Sequence, residues 1–476
     1  MVASIGMVAS PSQGASYYER DGYYAKDDPE HHAASAWAGR GAAALGLEGP
    51  VDSDIFKAIL GGFVPDGTDT RLGRTTGDGE FHHRPGRDLT FSAPKSVSLA
   101  ALVGGDRRIT EAHDRAVKKT LDWFERNAAE TRIRDPETGK MVRAGNQKAV
   151  IATFRHDTSR NLDPALHTHS VIANMVRGED GKWRTMANEG LYASKMLLGA
   201  LYRNELAGEL KGLGYELEKT HADGRFEIAG VSREVIDAFS TRRAEIVAAV
   251  ESLGQGGTAA NPDLARRAAL MTRSHKRDVD KGELHRAWLQ RAEELGFDAG
   301  SLVLSSHVRN LQEGEKAKEA QETQEEGKTR DGAMDAGMDG QGGTGEMVDG
   351  GIHSPAAAPP QADLFVPEPE TKEKRAVEWA LDHLSERDSV FTGRDLLTAA
   401  LSYDPGSTSL EKIEKEIRAL KTEEKIHDAP GLAGGDGLAT GKAVADERET
   451  IFLMRQGQGR GSAVMRGWMV DRHLKG

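Results

Sequence analysis

The 476-residue sequence contains no cysteine. Disulfides and thiolate metal sites are both excluded, so a bound metal ion must be held by His, Asp, Glu or water. A reducing, cytoplasmic setting fits that absence. Long apolar runs are missing too. No stretch of about 18 apolar residues occurs, and no membrane-spanning helix is expected. The opening MVASIGMVASPSQGAS lacks a basic segment followed by an apolar core, so no signal peptide is expected. Aromatics make up only 5% of the chain, with eight tyrosines among them. Basic residues are in the minority, and the net charge is −12. A uniformly basic nucleic-acid binder is thereby excluded. The distribution softens that conclusion, because residues 313–349 alone hold eleven acidic and only four basic residues. The remainder is mildly acidic and leaves room for a basic groove.

A chain of this length is expected to form two or three units. Residues 1–310 alternate apolar-periodic segments with short loops and read as one large domain of mixed helix and strand. Helices are expected at 108–130, at 195–214 with a stop at Gly212 or Gly214, and at 232–254 from a Ser cap. Residues 311–365 are acidic, Gly-rich and poor in large apolar groups, which predicts a disordered linker. Residues 366–476 hold the amphipathic stretches KEKRAVEWALDHLSERDSVF and SLEKIEKEIRALKTEEKI. Thr392 suits the cap of a helix over Gly393–Leu401 between them. This small helical region is too short and polar for an independent enzyme. No internal repeat is present.

Against this background, FRHDTSRNLDPALHTHSV at 154–171 gathers His156, His167 and His169. Chance supplies about half an H-x-H in a chain of this composition, so the pair alone says little. Its flanks say more. KAVIATFRH and LHTHSVIANM are rich in β-branched residues, and the turn formers Asn161, Asp163 and Pro164 lie between them, which predicts an antiparallel hairpin. Residues at i and i+2 share a strand face, so His167 and His169 point the same way. His156 shares its face with Phe154 and Ala152. If the two faces coincide, three imidazoles converge, and neutral imidazole is a common ligand of first-row divalent ions. The alternative is three polar residues on a half-exposed sheet face.

SYYERDGYYAKD at 16–27 holds four of the eight tyrosines as two adjacent pairs. An aromatic core patch is one reading. The polar surroundings favour another: a tyrosine hydroxyl attacks a phosphodiester and keeps the bond energy in a phosphotyrosine, so the strand can be resealed.

The tyrosine pairs, HRPGRDLTFSAPKSVS with its expected strand at 87–98, and the His-x10-His-x-His spacing occur in one order. Together they resemble the conjugative relaxases of the TrwC/TraI (MobF) class, within the HUH endonuclease superfamily, over about residues 1–310. The resemblance implies an α+β HUH relaxase fold, a central antiparallel sheet flanked by helices. It matches Tyr17 to the primary nucleophile and Tyr23 to the tyrosine of a second strand transfer, with Tyr18 and Tyr24 as their neighbours. Asp88 matches the carboxylate beside the metal, as base or as histidine-orienting group. His156, His167 and His169 match the metal triad. The implied cofactor is one divalent ion, Mg or Mn in use, with Zn, Ni or Co also able to bind. The implied activity is site- and strand-specific nicking at a plasmid origin of transfer. The implied partners are single-stranded and hairpin origin DNA, with a type IV coupling protein and accessory DNA-binding proteins, and the implied route includes export to a recipient cell with the strand. On charge alone, Arg87 and Lys95 are candidates for phosphate contact, with a solvated surface role as the alternative.

Relatives of this class often continue into a helicase. Here GGDGLATGKA at 434–443 is only a near miss to a phosphate loop, with Asp436 and Ala443 at two required positions. No nucleotide partner, ATPase or helicase activity is expected. Three rival readings stand beside the relaxase. A rolling-circle replication initiator shares the HUH chemistry, a catalytically idle DNA-binding protein would keep only the fold, and a hydrolytic metal phosphoesterase would leave no covalent adduct.

Overall fold

The computed structural model describes residues 3–12, 14, 34–252, 262–272, 279–334, 370–430 and 436–458. The fold is α+β. Its centre is a six-stranded sheet in which every neighbouring pair is antiparallel. The order is Ala3–Met7, Gly86–Ser92, Pro164–Arg177, Lys148–Thr158, Ser35–Ala38, with Trp183–Arg184 paired to the Pro164–Arg177 strand. The two long central strands are covered on both sides over the halves away from their joining turn. There they read as apolar runs, with Ala149 to Ala152 and Val171 to Ala173 all buried, while their halves toward the turn are polar.

One sheet face, carrying Leu89, Phe91, Ile151, Leu166 and Ile172, joins the main core. It lies under the helices Lys95–Leu102, Arg107–Asn127 and Lys195–Gly212. The Arg107–Asn127 helix buries Ile109, Ala112, Ala116, Val117, Leu121 and Phe124, a stripe at three- and four-residue spacing, and the Asp106 side chain caps its start. The other face, with Ala152, Phe154 and Val171, packs against Val51, Phe56 and Leu60. The short Ser53–Leu60 helix behind it is capped by Asp52.

Three segments differ from expectation, each for a nonlocal or compositional reason. RDLTFSAPKSVS is a strand only to Ser92, and Lys95 opens a helix. Ser96 N–H and Oγ–H both donate to the Glu227 carboxylate, at 2.9 and 2.6 Å, which satisfies that helix start. The expected 232–254 helix is two helices, Arg233–Ala238 and Thr241–Ser252. The second starts where Thr241 N–H and Oγ–H donate to Asp163 at 3.0 and 2.6 Å. The helix Ala299–Met334 runs into the expected linker. That stretch is rich in Ala, Glu, Lys and Gln, good helix formers that need no apolar stripe to propagate from a docked first half. Residues 335–365 lie outside the described residues.

The C-terminal region is not purely helical. Helices Lys372–Ser385, Gly393–Tyr403, Leu410–Thr422 and Gly441–Gly457 surround a small sheet ordered Phe391–Thr392, Asp436–Thr440, Ile426–Pro430. Thr392 makes a full capping box with Asp395. Val377, Leu396, Leu401 and Ile413 share one apolar cluster with Leu197, Ala200 and Leu201 of the Lys195–Gly212 helix. The Asn204 amide seals the contact, donating to Thr408 O and accepting from Gly406 N–H, both at 2.9 Å. Gly406 has φ +78°, and a Cβ there would stand 2.4 Å from Gly208 N. Only glycine fits that crossing.

Candidate active site and metal centre

The hairpin register decides the site. His156 pairs directly with His167, and Phe154 with His169. Directly opposed residues of an antiparallel pair share a face, so all three imidazoles stand together on the face away from the large helices. Their ring centroids are 5.0 Å apart for His156 and His167, 4.9 Å for His156 and His169, and 5.2 Å for His167 and His169.

The neighbouring strand supplies the carboxylate. Thr90 pairs with His169, which places Asp88 two residues along on the same face. His169 Nδ1 donates to Asp88 Oδ2 at 2.7 Å, and Thr90 Oγ lies 3.2 Å from both Asp88 Oδ1 and His169 Nδ1. His167 Nδ1 donates to Ala165 O at 2.7 Å. These bonds fix the protons of His167 and His169 on Nδ1 and leave each Nε2 as a lone-pair donor. A carboxylate behind an imidazole is the usual outer support of a metal-ligating histidine. His156, His167 and His169 thus fit a divalent ion by donor type and proximity. Among the described residues no trio of His, Asp or Glu has its donor atoms already drawn around one point.

Tyr17, Tyr18, Tyr23 and Tyr24 lie outside the described residues. The chain leading to them runs along the same site. Gly6 pairs with Asp88, and Val8 packs on the Phe154 cluster of the histidine face.

Arg87 and Lys95 are not brought to the histidines. Arg87 alternates with Asp88 and so shares the opposite face with Leu89 and Phe91. It lines a cavity of about 1020 Å³ with Arg74, Arg84, Arg132, His82 and His83. Burial holds the His83 imidazole below its usual range. Sequence reasoning named only Arg87 of this group. The run RLGRTTGDGEFHHRPGR was a local signal for Arg74 and Arg84, whereas Arg132 arrives from a distant ribbon. Lys95 Nζ donates to Pro164 O at 2.5 Å, at the foot of the His167 strand. Burial lowers its pKa to about 8, against the opposing pull of Asp163 and Glu227.

The turn of the hairpin is held from outside. Asp163 is buried and caps the Thr241–Ser252 helix, while Trp288 Nε1 donates to Leu162 O at 2.8 Å. Leu162 itself has φ +63°, a conformation that a branched residue keeps only when its surroundings impose it.

The sequence pattern of the TrwC relaxase family matches residues 11–295. Multifunctional conjugation protein TraI of Escherichia coli (strain K12) is 40% identical over 305 residues, covering 62% of this chain and 16% of that protein. The chain therefore spans about a sixth of the length of the curated relatives it matches. A metal-bound structure of the conjugative relaxase TrwC in complex with oriT DNA aligns with TM-score 0.56 and 38% identity, over 62% of this chain and 99% of that one. The structure of TrwC with a 27-mer DNA comprising the recognition hairpin and the cleavage site aligns with TM-score 0.55 and 39% identity, over the same shares. The pattern match covers more than half of the sequence and includes the tyrosine pairs and the histidine hairpin: this chain belongs to the TrwC relaxase family.

Proposed function

We propose that this protein nicks one strand of plasmid DNA at an origin of transfer, holds the cut strand covalently, and so initiates conjugative transfer. The observation that carries the reading is the His156–His167–His169 cluster with Asp88 behind His169, in a chain of the TrwC relaxase family. In the first step the Tyr17 phenolic oxygen bonds to the scissile phosphorus and loses its proton. The bond from phosphorus to the 3′ oxygen breaks, and that oxygen leaves as a hydroxyl. The 5′ phosphate stays on the tyrosine. Tyr23 takes a second strand transfer, and Tyr18 and Tyr24 flank the two nucleophiles.

His156, His167 and His169 would hold one divalent ion, which when bound polarises a phosphate oxygen as a Lewis acid. Nitrogen ligands favour Zn, Ni and Co over Mg and Mn in affinity, while abundance makes Mg or Mn the working ion. Asp88 orients His169 and fixes its tautomer, since its carboxylate is already engaged by that ring. The Arg74, Arg84, Arg87 and Arg132 cavity suits the phosphates of hairpin or single-stranded origin DNA. Contact with a coupling protein and accessory proteins, and export with the strand, belong to the same proposal. No helix among the described residues is long and apolar enough to cross a membrane. No ATPase or helicase activity is expected, because Thr440 of LATGK caps a helix by accepting from Ala443 N–H and no phosphate-loop Ser or Thr follows the Lys.

The test is a single-stranded oligonucleotide spanning the cognate nick, incubated with protein and Mg or Mn. A denaturation-resistant adduct should form between the 3′ fragment and Tyr17. Tyr17→Phe should abolish it with little loss of DNA affinity. His167→Ala should do the same, and Asp88→Asn, which loosens the hold on the His169 ring, should slow cleavage by about 10- to 100-fold. Cleavage to a free 5′ phosphate without adduct would instead identify a metal phosphoesterase.

A further inference from the structure

Directly beneath the histidine cluster, on the other side of the sheet, a polar chain crosses the main core. His113, on the Arg107–Asn127 helix, is fully buried. One ring nitrogen, Nδ1, lies 2.7 Å from the Tyr202 hydroxyl, and the other, Nε2, lies 2.8 Å from Thr168 Oγ. Tyr202 and Thr168 are buried as well, at 0% and 3% exposure. Thr168 is the residue between His167 and His169, with its side chain on the opposite face. The geometry points to His113 as a positioning residue for the metal site: by gripping Thr168 from below, it fixes the backbone that aims His167 and His169 above. This rests on the reading of those histidines as metal ligands.

Three arguments support it. The first is leverage. The two peptide units that flank Thr168 are those that set the directions of His167 and His169. A side chain held at Thr168 therefore restrains both ligands at once. A small twist there would move two imidazoles whose centroids are only 5.2 Å apart.

The second is cost. Two hydroxyls and an imidazole are taken out of water into a core otherwise built of Phe91, Leu166, Leu198 and similar groups. Apolar groups of the same shape would serve stability as well or better, because hydrogen bonds exchanged for those of water contribute little net. What such bonds supply and apolar contacts do not is direction. The chain is also complete, since each ring nitrogen has one hydroxyl partner. Burial, with the nearby Arg155 guanidinium as a lesser cause, pushes the His113 pKa down to about 3. The ring is thus neutral, with one N–H to give and one lone pair to receive.

The third is anchorage. Tyr202 stacks beside Phe91, ring centroids 5.2 Å apart, and Phe91 is the cross-strand partner of Thr168. Tyr202 belongs to the Lys195–Gly212 helix, whose outer side is clamped by the C-terminal region. Beside His113, Asp114 pairs with Arg155, the partner of Thr168 on the other strand. Both neighbours of Thr168 across the sheet are therefore tied to the same two helices that hold His113.

The experiment uses the full chain and Co(II) as probe, with nicking of the cognate oligonucleotide measured in parallel. Thr168→Val keeps the β-branched shape and removes only the hydroxyl. It should weaken Co(II) binding by about tenfold, shift the visible Co(II) bands and lower the nicking kcat, with KM for the oligonucleotide unchanged. Tyr202→Phe leaves the His113–Thr168 bond in place and should shift the same readouts less. His113→Gln keeps a donor and an acceptor and should recover part of what His113→Ala loses. Should Thr168→Val fail to fold, Tyr202→Phe decides by the same readouts. Wild-type Co(II) spectrum, affinity and kcat in a folded Thr168→Val protein would overturn the inference and leave the ligand assignment standing. Unchanged Co(II) binding in His167→Ala would overturn both.

Discussion

A neutral imidazole sealed in an apolar core makes the folded state sensitive to acid. His113 has a folded pKa of about 3 against an ordinary value of 6.5. As pH falls below 6.5 the unfolded chain takes up a proton that the folded one refuses. Stability is therefore undiminished above that pH and falls by about 1.4 kcal/mol per pH unit toward pH 3. His83, also held below its usual range by burial, adds to the same trend. Urea unfolding at pH 7 and pH 5 should show a larger loss for the wild type than for His113→Gln, which cannot titrate there. Equal losses would show that His113 does not carry the effect. At this scale the gathering of the three histidines was legible, and for a simple reason. His156, His167 and His169 lie on one hairpin, and the two-residue repeat of a strand already assigns their faces. The arginine cavity was not legible, because Arg74 and Arg132 meet only through tertiary folding. His113 was equally silent: a histidine on the apolar stripe of a helix gives no hint of a threonine 55 residues away.

Elements were read best where their signal is local. The two hairpin strands and the long helix at 107–127 follow from their own periodicity, and the helix at 195–212, buried on most of its surface, follows from its content of Leu, Ala, Glu and Lys. The break at 239–240 does not. Apolar spacing runs through it, and what ends one helix and starts the next is a carboxylate 78 residues earlier. That cap ties the Thr241–Ser252 helix to the hairpin turn, so damage to it should be felt twice. Thr241→Val removes the hydroxyl donor from buried Asp163 and should cost about 1–3 kcal/mol of stability. It should also raise hydrogen exchange of the turn amides at Asn161–Asp163. Exchange increased only in the helix would show that turn and helix are held independently. The Lys95–Leu102 helix makes the same point. Ser-Ala-Pro reads as the end of a strand, but at the start of the helix that follows, the Ser96 amide and hydroxyl depend on Glu227 as acceptor.

For the whole molecule, the small C-terminal region shares a core with the Lys195–Gly212 helix. Leu197, Ala200 and Leu201 present an apolar edge that Val377, Leu396 and Leu401 cover, and the Asn204 amide locks the seam. A protease site placed in the segment 335–369 should therefore cut the chain without separating it. The two pieces should elute together from gel filtration, and nicking should persist. Leu201→Glu, which sets a charge in the seam, should let them part. Separation of the unaltered pieces at micromolar concentration would show that the seam is too weak to hold alone. In the intact chain the seam is an intramolecular equilibrium, and a covalent connection of moderate length gives its second half an effective concentration on the order of millimolar. The outer face of the Lys195–Gly212 helix is thus a competitive surface. A free ligand for that face at micromolar concentration must bind about a thousandfold more tightly than the protein's own C-terminal region to displace it.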